Sequence, residues 1–332
     1  MGAGHDHGHA HGAGGHGGHT HGASADSDKR WLSGALAVIV VFMAGEVVVG
    51  VIAGSLALLS DAAHMLTDAA SIALALWAIA LAARPAAGRM TFGWKRAEIL
   101  SAQVNGMTLL VLAGWLGFEA IRRLLNPPEV TGGLVLITAL VGVVVNVAAS
   151  AMISRANRTS LNVEGAFQHI LNDLFAFIAT AIAGAVILVT GFARADAIAS
   201  LVVVALMLKA GVSLVRASTR VFLEAAPANI DPDEVGRVMA AVDAVVEVHD
   251  LHIWEITSGS PALSAHVLVQ PGSDCHTART ALAALLEHDY HIDHATLQVD
   301  HAEPELLQLG QAQPGAHCED SHGPAHRNPG IG

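Results

Sequence analysis

The chain has 332 residues, of which 53 % are hydrophobic and 14 % charged, and its formal net charge at pH 7 is −12. So few charges over this length exclude an ordinary soluble domain and favour a membrane protein. The acidic balance argues against nucleic acid as a partner. The two cysteines, Cys275 and Cys318, are too far apart for a C-x-x-C metal or redox pair, so no disulfide framework is expected.

The first segment of the chain, 1–30, is rich in Gly and His, and we expect it to be a disordered cytoplasmic leader. It lacks the basic start and apolar core of a secretory signal. Histidines in a Gly-rich segment can bind soft divalent metals without folding, so this leader either supplies or senses metal or is a dispensable solvated tail. Its histidines are His5, His7, His9, His11, His16, His19 and His21.

Six apolar runs follow, and each is long enough to cross a hydrocarbon core of roughly 30 Å. We predict that they form a six-helix transmembrane domain at 31–217. An even number of spans leaves both termini on one side of the membrane, and most Lys and Arg residues of the short loops fall on that side. The positive-inside rule therefore predicts cytoplasmic termini. The predicted spans are 31–54, 56–83, 99–120, 132–153, 166–192 and 195–215.

The pattern then changes to that of a small α+β domain, which we expect at 218–303. Asp231–Val242 has the Pro and acidic first turn typical of a helix start, and Thr277–His288 is a second predicted helix. Three strands are predicted between and after these helices, in the order of a split βαβ arrangement of ferredoxin type. The predicted strands are 245–257, 262–270 and 295–301.

The final segment, 304–332, is rich in Pro, Gly and His, and we expect it to be disordered. One cysteine among irregularly spaced histidines is only a weak indication of a metal site. These candidate ligands are His317, Cys318, His322 and His326.

Two of the predicted spans carry the same pair of ionisable residues. The second span contains His64 and Asp68, and the fifth contains His169 and Asp173, each pair at spacing i, i+4 on one helix face. Ionisable groups at membrane depth are costly, so two such pairs indicate a function. If the helices face one another, two imidazoles and two carboxylates form a ligand set suited to tetrahedral zinc. The alternative is two buried His–Asp hydrogen-bonded contacts.

These ligands also provide a way to release the metal. Metal binds only deprotonated His and carboxylate, so protons compete with it, and imidazole titrates near neutral pH. The pattern therefore predicts metal export driven by inward proton movement, to which the membrane potential adds roughly 2.3 kcal/mol per charge per 100 mV.

Other polar residues in the spans have two interpretations each. Asp61, one turn before the first of these histidines, is a gate or a residue near the membrane interface. Glu46 is a proton relay or a hydrogen-bond partner inside the bundle. Asn105, Asn146 and Asn172 line a polar path or make hydrogen bonds between helices, which is the commoner use of such residues.

The paired H-x-x-x-D motifs, the segment SLALLSDAAHMLTDAAS and the phrase VHDLHIWEITSG resemble the cation diffusion facilitator family over nearly all of 31–300. Within that family the chain is similar to the zinc/cobalt/cadmium-resistance branch, which has His rather than Asp first in the second-span motif. The resemblance implies a transport site of His64, Asp68, His169 and Asp173 that prefers Zn2+ to Cd2+, although Cd2+, Co2+ or Ni2+ can also be carried. It further implies proton antiport and a homodimer joined largely through a metallochaperone-like cytoplasmic domain.

The resemblance also implies a second zinc site in the cytoplasmic domain, where metal would tighten the dimer and regulate transport. The matching positions are His249 in VHDLHIW, His266 in SAHV and Asp300 at the end of LQVD. His294 completes the set, but its spacing to Asp300 is one residue shorter than in some relatives. Without the resemblance, scattered strand histidines are more often surface polar groups. The alternatives for the fourth position are His276, His291 and His301.

Competing functions need motifs that this sequence lacks. A membrane metalloprotease would carry H-E-x-x-H, and a nucleotide-driven pump would carry G-x-x-x-x-G-K-[ST]. We therefore expect a transporter and not an enzyme. A passive metal channel or a zinc sensor stays open, since neither requires proton flux. The short loops favour a bacterial inner-membrane protein.

Overall fold

The computed structural model describes residues 21–53, 56–126, 132–158, 160–302, 323–328 and 330. Within the described helices some side chains lie outside the described part, among them those of Glu46, Asp61 and His64. The predictions made for the histidines at 5–19 and for His317, Cys318 and His322 also fall outside the described residues.

Six long helices occupy the first part of the chain, as predicted. Over the described residues, α3 to α6 are each long and apolar enough to cross a membrane, and the described part of α2 continues as a shorter apolar helix. We call these six helices the membrane domain. They are α1 (His21–Ala53), α2 (Leu56–Ala82), α3 (Ala97–Leu125), α4 (Gly132–Ile153), α5 (Leu161–Thr190) and α6 (Arg194–Phe222).

The first helix begins earlier than predicted, so residues 21–30 are helical and not part of a disordered leader. Two contacts fix the part of this helix around residues 28–31. The Asp28 carboxylate accepts a 2.7 Å hydrogen bond from the backbone N–H of Asn157, and the Arg155 guanidinium lies 5.0 Å from the ring centre of Trp31. Both contacts hold the start of α1 against the loop between α4 and α5, which sequence periodicity does not reveal.

The membrane domain has two packed groups of helices. Helices α1, α2, α4 and α5 share one apolar core, whereas α3 pairs with α6 around a separate core. The backbones of α3 and α6 come close at two glycines, because a Cβ built on Gly211 would lie 3.1 Å from the carbonyl oxygen of Gly106. Small residues of this kind allow membrane helices to approach closely.

The remainder forms an α+β unit, which we call the C-terminal domain. Its described sheet has the strand order β3-β2-β1-β4, with β1 antiparallel to β2 and β2 parallel to β3. The parallel pair is connected through α8, which confirms the predicted split βαβ arrangement. The elements are α7 (Pro232–Ala240), β1 (Val245–Thr257), β2 (Ser260–Val269), α8 (Cys275–Tyr290), β3 (His294–His301) and β4 (His326–Arg327).

Strand β4 comes from the tail that the sequence predicts to be disordered, and for residues 323–328 that prediction is wrong. His326 and Arg327 pair with β1, and the Arg327 guanidinium lies 2.9 Å from the Glu247 carboxylate. The His326 ring packs directly over Gly236 of α7, where a Cβ would leave it no room. A low-complexity composition does not reveal these long-range contacts.

Over the described residues, several hydrogen bonds and an ion pair join the two domains. The Thr257 hydroxyl donates to the carbonyl of Lys95 at 3.2 Å, and the Ser258 hydroxyl accepts from the backbone N–H of Leu161 at 3.1 Å. An ion pair of 3.1 Å joins Arg96 to Glu224. The turn between β1 and β2 therefore lies against the helix ends on one side of the membrane domain.

Candidate metal site

Three of the four residues predicted inside the membrane come together between α2 and α5. Asp68, His169 and Asp173 each offer one ligand atom, and these atoms all lie within 4.8 Å of one another. Asp68 and His169 are buried and Asp173 is half-buried. Nε2 of His169 lies 2.9 Å from Oδ1 of Asp68. Over the described residues, this is the one group of three His, Cys, Asp or Glu residues with such spacing.

His64, the fourth predicted ligand, lies on α2 one turn before Asp68. Residues four apart share a helix face, so His64 lies on the face of α2 that carries Asp68. Its side chain is outside the described part of the structure, and its role as a ligand stays a prediction.

Small and apolar neighbours hold the two helices together around this site. Ala69 and Ile72 of α2 and Ala166 and Ile170 of α5 belong to one buried core. A polar contact reinforces the packing, since the Asn162 side-chain amide donates a 2.9 Å hydrogen bond to the carbonyl of Ala75. Asn162 was not among the predicted functional residues, because an Asn near a helix start carries no signal of a contact to another helix.

The charges of the site suit a divalent cation. Asp68 and Asp173 carry two negative charges when ionised, and burying such charges without compensation is costly. Either a divalent cation or protons can neutralise them. Nδ1 of His169 is buried and makes no hydrogen bond within the described residues, so this imidazole has coordination capacity beyond its contact with Asp68. Imidazole nitrogen and carboxylate oxygen are both common zinc ligands.

Two of the buried asparagines use their side chains within their own helices. The Asn146 amide donates to the carbonyl of Gly142, and the Asn172 amide donates to that of Gln168. The Asn105 amide nitrogen is buried with no hydrogen-bond partner in the described ranges. These contacts favour a structural use for Asn146 and Asn172 over a polar path.

In the C-terminal domain, the predicted histidines His249 and His266 form a cross-strand pair. They are direct partners on β1 and β2, and their ring centres are 5.5 Å apart. Acidic groups lie beside both rings, with Glu247 at 3.3 Å from His249 and Asp250 at 3.8 Å from His266. Because Val267, next in the chain, faces the buried core, the two imidazoles lie on the opposite face of the sheet.

The other predicted ligands of this domain lie further away along β3. Asp300 pairs with Leu268, so it lies on the face of His266 but further along the strand. His294 pairs with Ala262, and its ring lies 5.8 Å from that of Phe92, in the loop before α3. Within one chain the structure therefore brings together His249 and His266, while His294 stands at the contact with the membrane domain.

The alternative histidines have other surroundings. Nε2 of His301 lies 2.9 Å from the carbonyl oxygen of Ser273, to which it can donate. His276 is exposed in the first turn of α8, and His291 ends that helix with a positive φ of 56°. Over the described residues, none of the three joins His249 and His266 in a group of metal-ligand spacing.

Long apolar helices around a buried His–Asp cluster, followed by a small α+β domain, are features expected of a membrane transporter for cations. Residues 33–223 match the family of the cation efflux transmembrane domain, and residues 227–302 match that of the cation efflux protein cytoplasmic domain. The chain belongs to the cation efflux family. It is a multi-pass membrane protein whose family consists of transporters of divalent metals and not of enzymes.

Several relatives have informative names. The chain is 37 % identical to the metal cation efflux system protein CzcD of Cupriavidus metallidurans, over 94 % of each chain. It is 36 % identical to the cadmium, cobalt and zinc/H(+)-K(+) antiporter of Bacillus velezensis, over 90 % of this chain and 92 % of the relative. It is 36 % identical to the zinc transporter ZitB of Escherichia coli, over 83 % of this chain and 88 % of the relative.

Among solved structures, a metal-bound C-terminal domain of the CzcD transporter is 32 % identical to this chain. The match covers 21 % of this chain and 99 % of that domain, with a TM-score of 0.21.

Proposed function

We propose that this protein exports Zn2+ from the cytoplasm in exchange for protons, using Asp68, His169 and Asp173 as ligands and His64 as the fourth. The observation that carries this proposal is the convergence of the first three ligand atoms within 4.8 Å in the interior of the membrane domain. The names of the relatives, which include a zinc transporter and a cadmium, cobalt and zinc/H(+)-K(+) antiporter, support both the metal and the proton.

Proton coupling follows from the chemistry of these ligands. Metal ligation requires deprotonated carboxylate and imidazole, so zinc and protons occupy the same groups in turn. When the site faces the cytoplasm, Zn2+ displaces the protons; when it faces outside, protons displace Zn2+ and neutralise the buried carboxylates for the return. The buried carboxylates are then neutralised both when the site carries Zn2+ outward and when it carries protons inward, so no uncompensated charge crosses the hydrocarbon.

The proposal includes an orientation and an assembly. We place a six-helix domain at 31–217 in a bacterial inner membrane with both termini in the cytoplasm, and a dimerisation domain at 218–303. The basic loop residues support this orientation, and the match of residues 227–302 to a cytoplasmic domain agrees with it. The functional unit is a homodimer.

We further propose that His249 and His266 bind a regulatory Zn2+, with Asp300 and His294 as the remaining predicted ligands. The ring nitrogen Nδ1 of His249 is buried and makes no hydrogen bond to any described residue, although a Glu247 oxygen lies 3.3 Å away. Two adjacent imidazoles with acidic neighbours suit a zinc ion. A metal ion on this face of the sheet would make the sheet more rigid and neutralise the neighbouring carboxylates.

The transport proposal is tested in sealed proteoliposomes that contain a pH dye. Addition of Zn2+ should move protons in the opposite direction in the native protein, and Asp173→Asn and His64→Ala should abolish this exchange. Glu119→Gln is the matched control, because Glu119 is a carboxylate of a membrane helix that pairs with Arg122 and Arg123 away from the site. Zinc flux without proton movement would indicate a channel, and exchange that survives both substitutions would remove these residues from the site.

A further inference from the structure

A cavity of about 1070 Å³ lies between the membrane domain and the C-terminal domain. We call it the junction cleft. Its walls come from the end of α2, the loop 83–96, the start of α3 and the strand β1. None of the residues proposed for metal transport lines this cleft, so it needs an explanation of its own.

The junction cleft has a surplus of positive charge. Arg89, Lys95 and Arg96 line it together with one carboxylate, Glu224. Arg96 and Glu224 form an ion pair of 3.1 Å. No described carboxylate lies within 4 Å of Arg89 or Lys95. These two cations therefore give the cleft an electrostatic preference for an anion.

The same cleft has a large apolar wall. Trp77, Phe92 and Trp94 line it and are 59 %, 47 % and 41 % exposed, although each is a large aromatic residue. Leu81 and Leu100 extend this wall along the ends of α2 and α3. Tryptophan is enriched where a membrane protein crosses from hydrocarbon to the lipid headgroups, so this wall has the composition of a lipid-facing boundary.

We propose that the junction cleft binds an anionic phospholipid, with its phosphate on Arg89 and Lys95 and its acyl chains along Trp77, Leu81 and Leu100. Basic pockets beside membrane helices recognise anionic headgroups in this way. A free phosphate would use the cations alone and leave the apolar wall exposed to water. An amphiphile satisfies both parts of the cleft, which is why the occupant is a lipid.

This site also connects the lipid to both domains. Lys95 provides the carbonyl that accepts the hydrogen bond from Thr257, and the neighbouring Arg96 holds Glu224 at the end of α6. A headgroup on Lys95 and Arg89 therefore lies beside the contacts that join the C-terminal domain to the membrane domain. Bound lipid should restrain that joint.

The test measures lipid binding to the full-length, metal-free protein, so its outcome does not depend on zinc transport. The protein is placed in phosphatidylcholine nanodiscs that contain phosphatidylglycerol, and the lipids retained after release are counted by native mass spectrometry. Retention of phosphatidylglycerol should fall about twenty-five-fold in Arg89→Gln/Lys95→Gln, since each basic residue near an anionic surface contributes a factor of roughly five. Phosphatidylcholine retention should not change.

Arg30→Gln is the matched control, because Arg30 is an exposed cation at the start of the first membrane span, on the same side of the bilayer. It should retain phosphatidylglycerol like the native protein. An equal loss in this control would mean diffuse surface attraction and overturn the site. The proposal also fails if inorganic phosphate binds as tightly as the lipid. It fails as well if the double variant dissociates into monomers in lipid-free detergent, because the cleft would then be an interface between copies.

Trp77→Ala separates the apolar part of the site from its charges. It should weaken phosphatidylglycerol retention while leaving the residual binding of inorganic phosphate unchanged. Unaltered lipid retention in this variant would contradict the proposed role of the apolar wall. Elution volume and helical content are compared for all variants, so that only folded protein is scored.

Discussion

Nε2 of His169 on α5 lies 2.9 Å from Oδ1 of Asp68 on α2. The two residues are far apart in the sequence, and each also belongs to a motif with spacing i, i+4 on its own helix. This contact therefore brings the last residue of the α2 motif and the first residue of the α5 motif into one buried site. On the proposed function, a metal bound there would replace the hydrogen bond between them with two metal–ligand bonds.

Removing the charge of Asp68 should uncouple zinc binding from proton release. Asp68→Asn preserves the shape of the side chain and its ability to contact His169, but an amide cannot release a proton. We expect at least tenfold weaker Zn2+ affinity and fewer protons released for each ion bound, because metal affinity is linked to ligand deprotonation. Isothermal titration calorimetry in buffers of different ionisation enthalpy measures both quantities.

The same titration on Glu119→Gln controls for loss of a carboxylate elsewhere in the membrane domain. Its affinity and proton release should equal those of the native protein. Native proton release in Asp68→Asn would mean that this carboxylate does not lose a proton when zinc binds.

Because α3 approaches α6 closely, a Gly→Ala substitution should affect stability differently at two glycines of α3. A Cβ at Gly106 would lie 2.9 Å from Cγ2 of Val215 and 3.1 Å from its backbone nitrogen. Gly106→Ala should therefore destabilise the protein by about 1–3 kcal/mol through overpacking. Thermal unfolding in detergent, followed by circular dichroism, measures the loss.

Gly114→Ala is the control, because a Cβ at Gly114 meets nothing within 4 Å over the described structure. Alanine forms helices better than glycine, so this change should leave the melting temperature unchanged or raise it. Equal melting temperatures for the two variants would contradict the close packing of α3 against α6.

The six helices could be predicted, and the two H-x-x-x-D pairs singled out as candidates, because both are features of local periodicity. Apolar runs long enough for a bilayer, and ionisable pairs at spacing i, i+4, are features of neighbouring residues. The predicted span at 132–153 agrees with α4, and the predicted strand at 245–257 agrees with β1. Such elements can be predicted without knowing which segments they pack against.

Contacts between distant segments were not predictable in this way. The hydrogen bond from Asn162 to Ala75 joins α5 to α2, and β4 pairs with the outer edge of β1. The position of His294 against Phe92 likewise depends on how the C-terminal domain sits beneath the loop before α3. Apart from residue type, a single sequence does not indicate which distant residues contact one another.

The tail strand β4 should loosen when its ion pair is removed. Arg327 is exposed and its partner Glu247 is mostly buried, so Arg327→Ala should cost β4 at most about 1 kcal/mol. Hydrogen exchange at the backbone N–H of Asn328, which donates to the carbonyl of Val246 at 3.1 Å, should then become up to about fivefold faster. Arg279→Ala, at an exposed cation on α8, should leave that rate unchanged.

Gly236→Ala should have a larger effect on the same amide. A Cβ at Gly236 would occupy the space of the His326 ring, so β4 must move away while α7 keeps its helical structure. Exchange at Asn328 should approach the rate of an unprotected amide, with protection of the α7 amides maintained or increased. Unchanged protection at Asn328 would contradict the packing of His326 on α7.

The paired histidines of the sheet should determine how the C-terminal domain responds to zinc. The rings of His249 and His266 are 5.5 Å apart, so one ion can contact both. A ligand stabilises the folded state by an amount that rises with the logarithm of its affinity. His249→Ala should therefore reduce the rise in melting temperature caused by Zn2+ and weaken the zinc dependence of dimerisation. Differential scanning fluorimetry and analytical ultracentrifugation, each with and without Zn2+, measure these effects.

His288→Ala is the control for this prediction, because His288 is an exposed histidine of α8 that pairs with its neighbour Asp289 at 2.6 Å and is not part of the cross-strand pair. Loss of His288 should leave the zinc response intact. If His288→Ala reduced that response as much as His249→Ala, zinc would be acting through scattered surface histidines, and the cross-strand pair would not be its site.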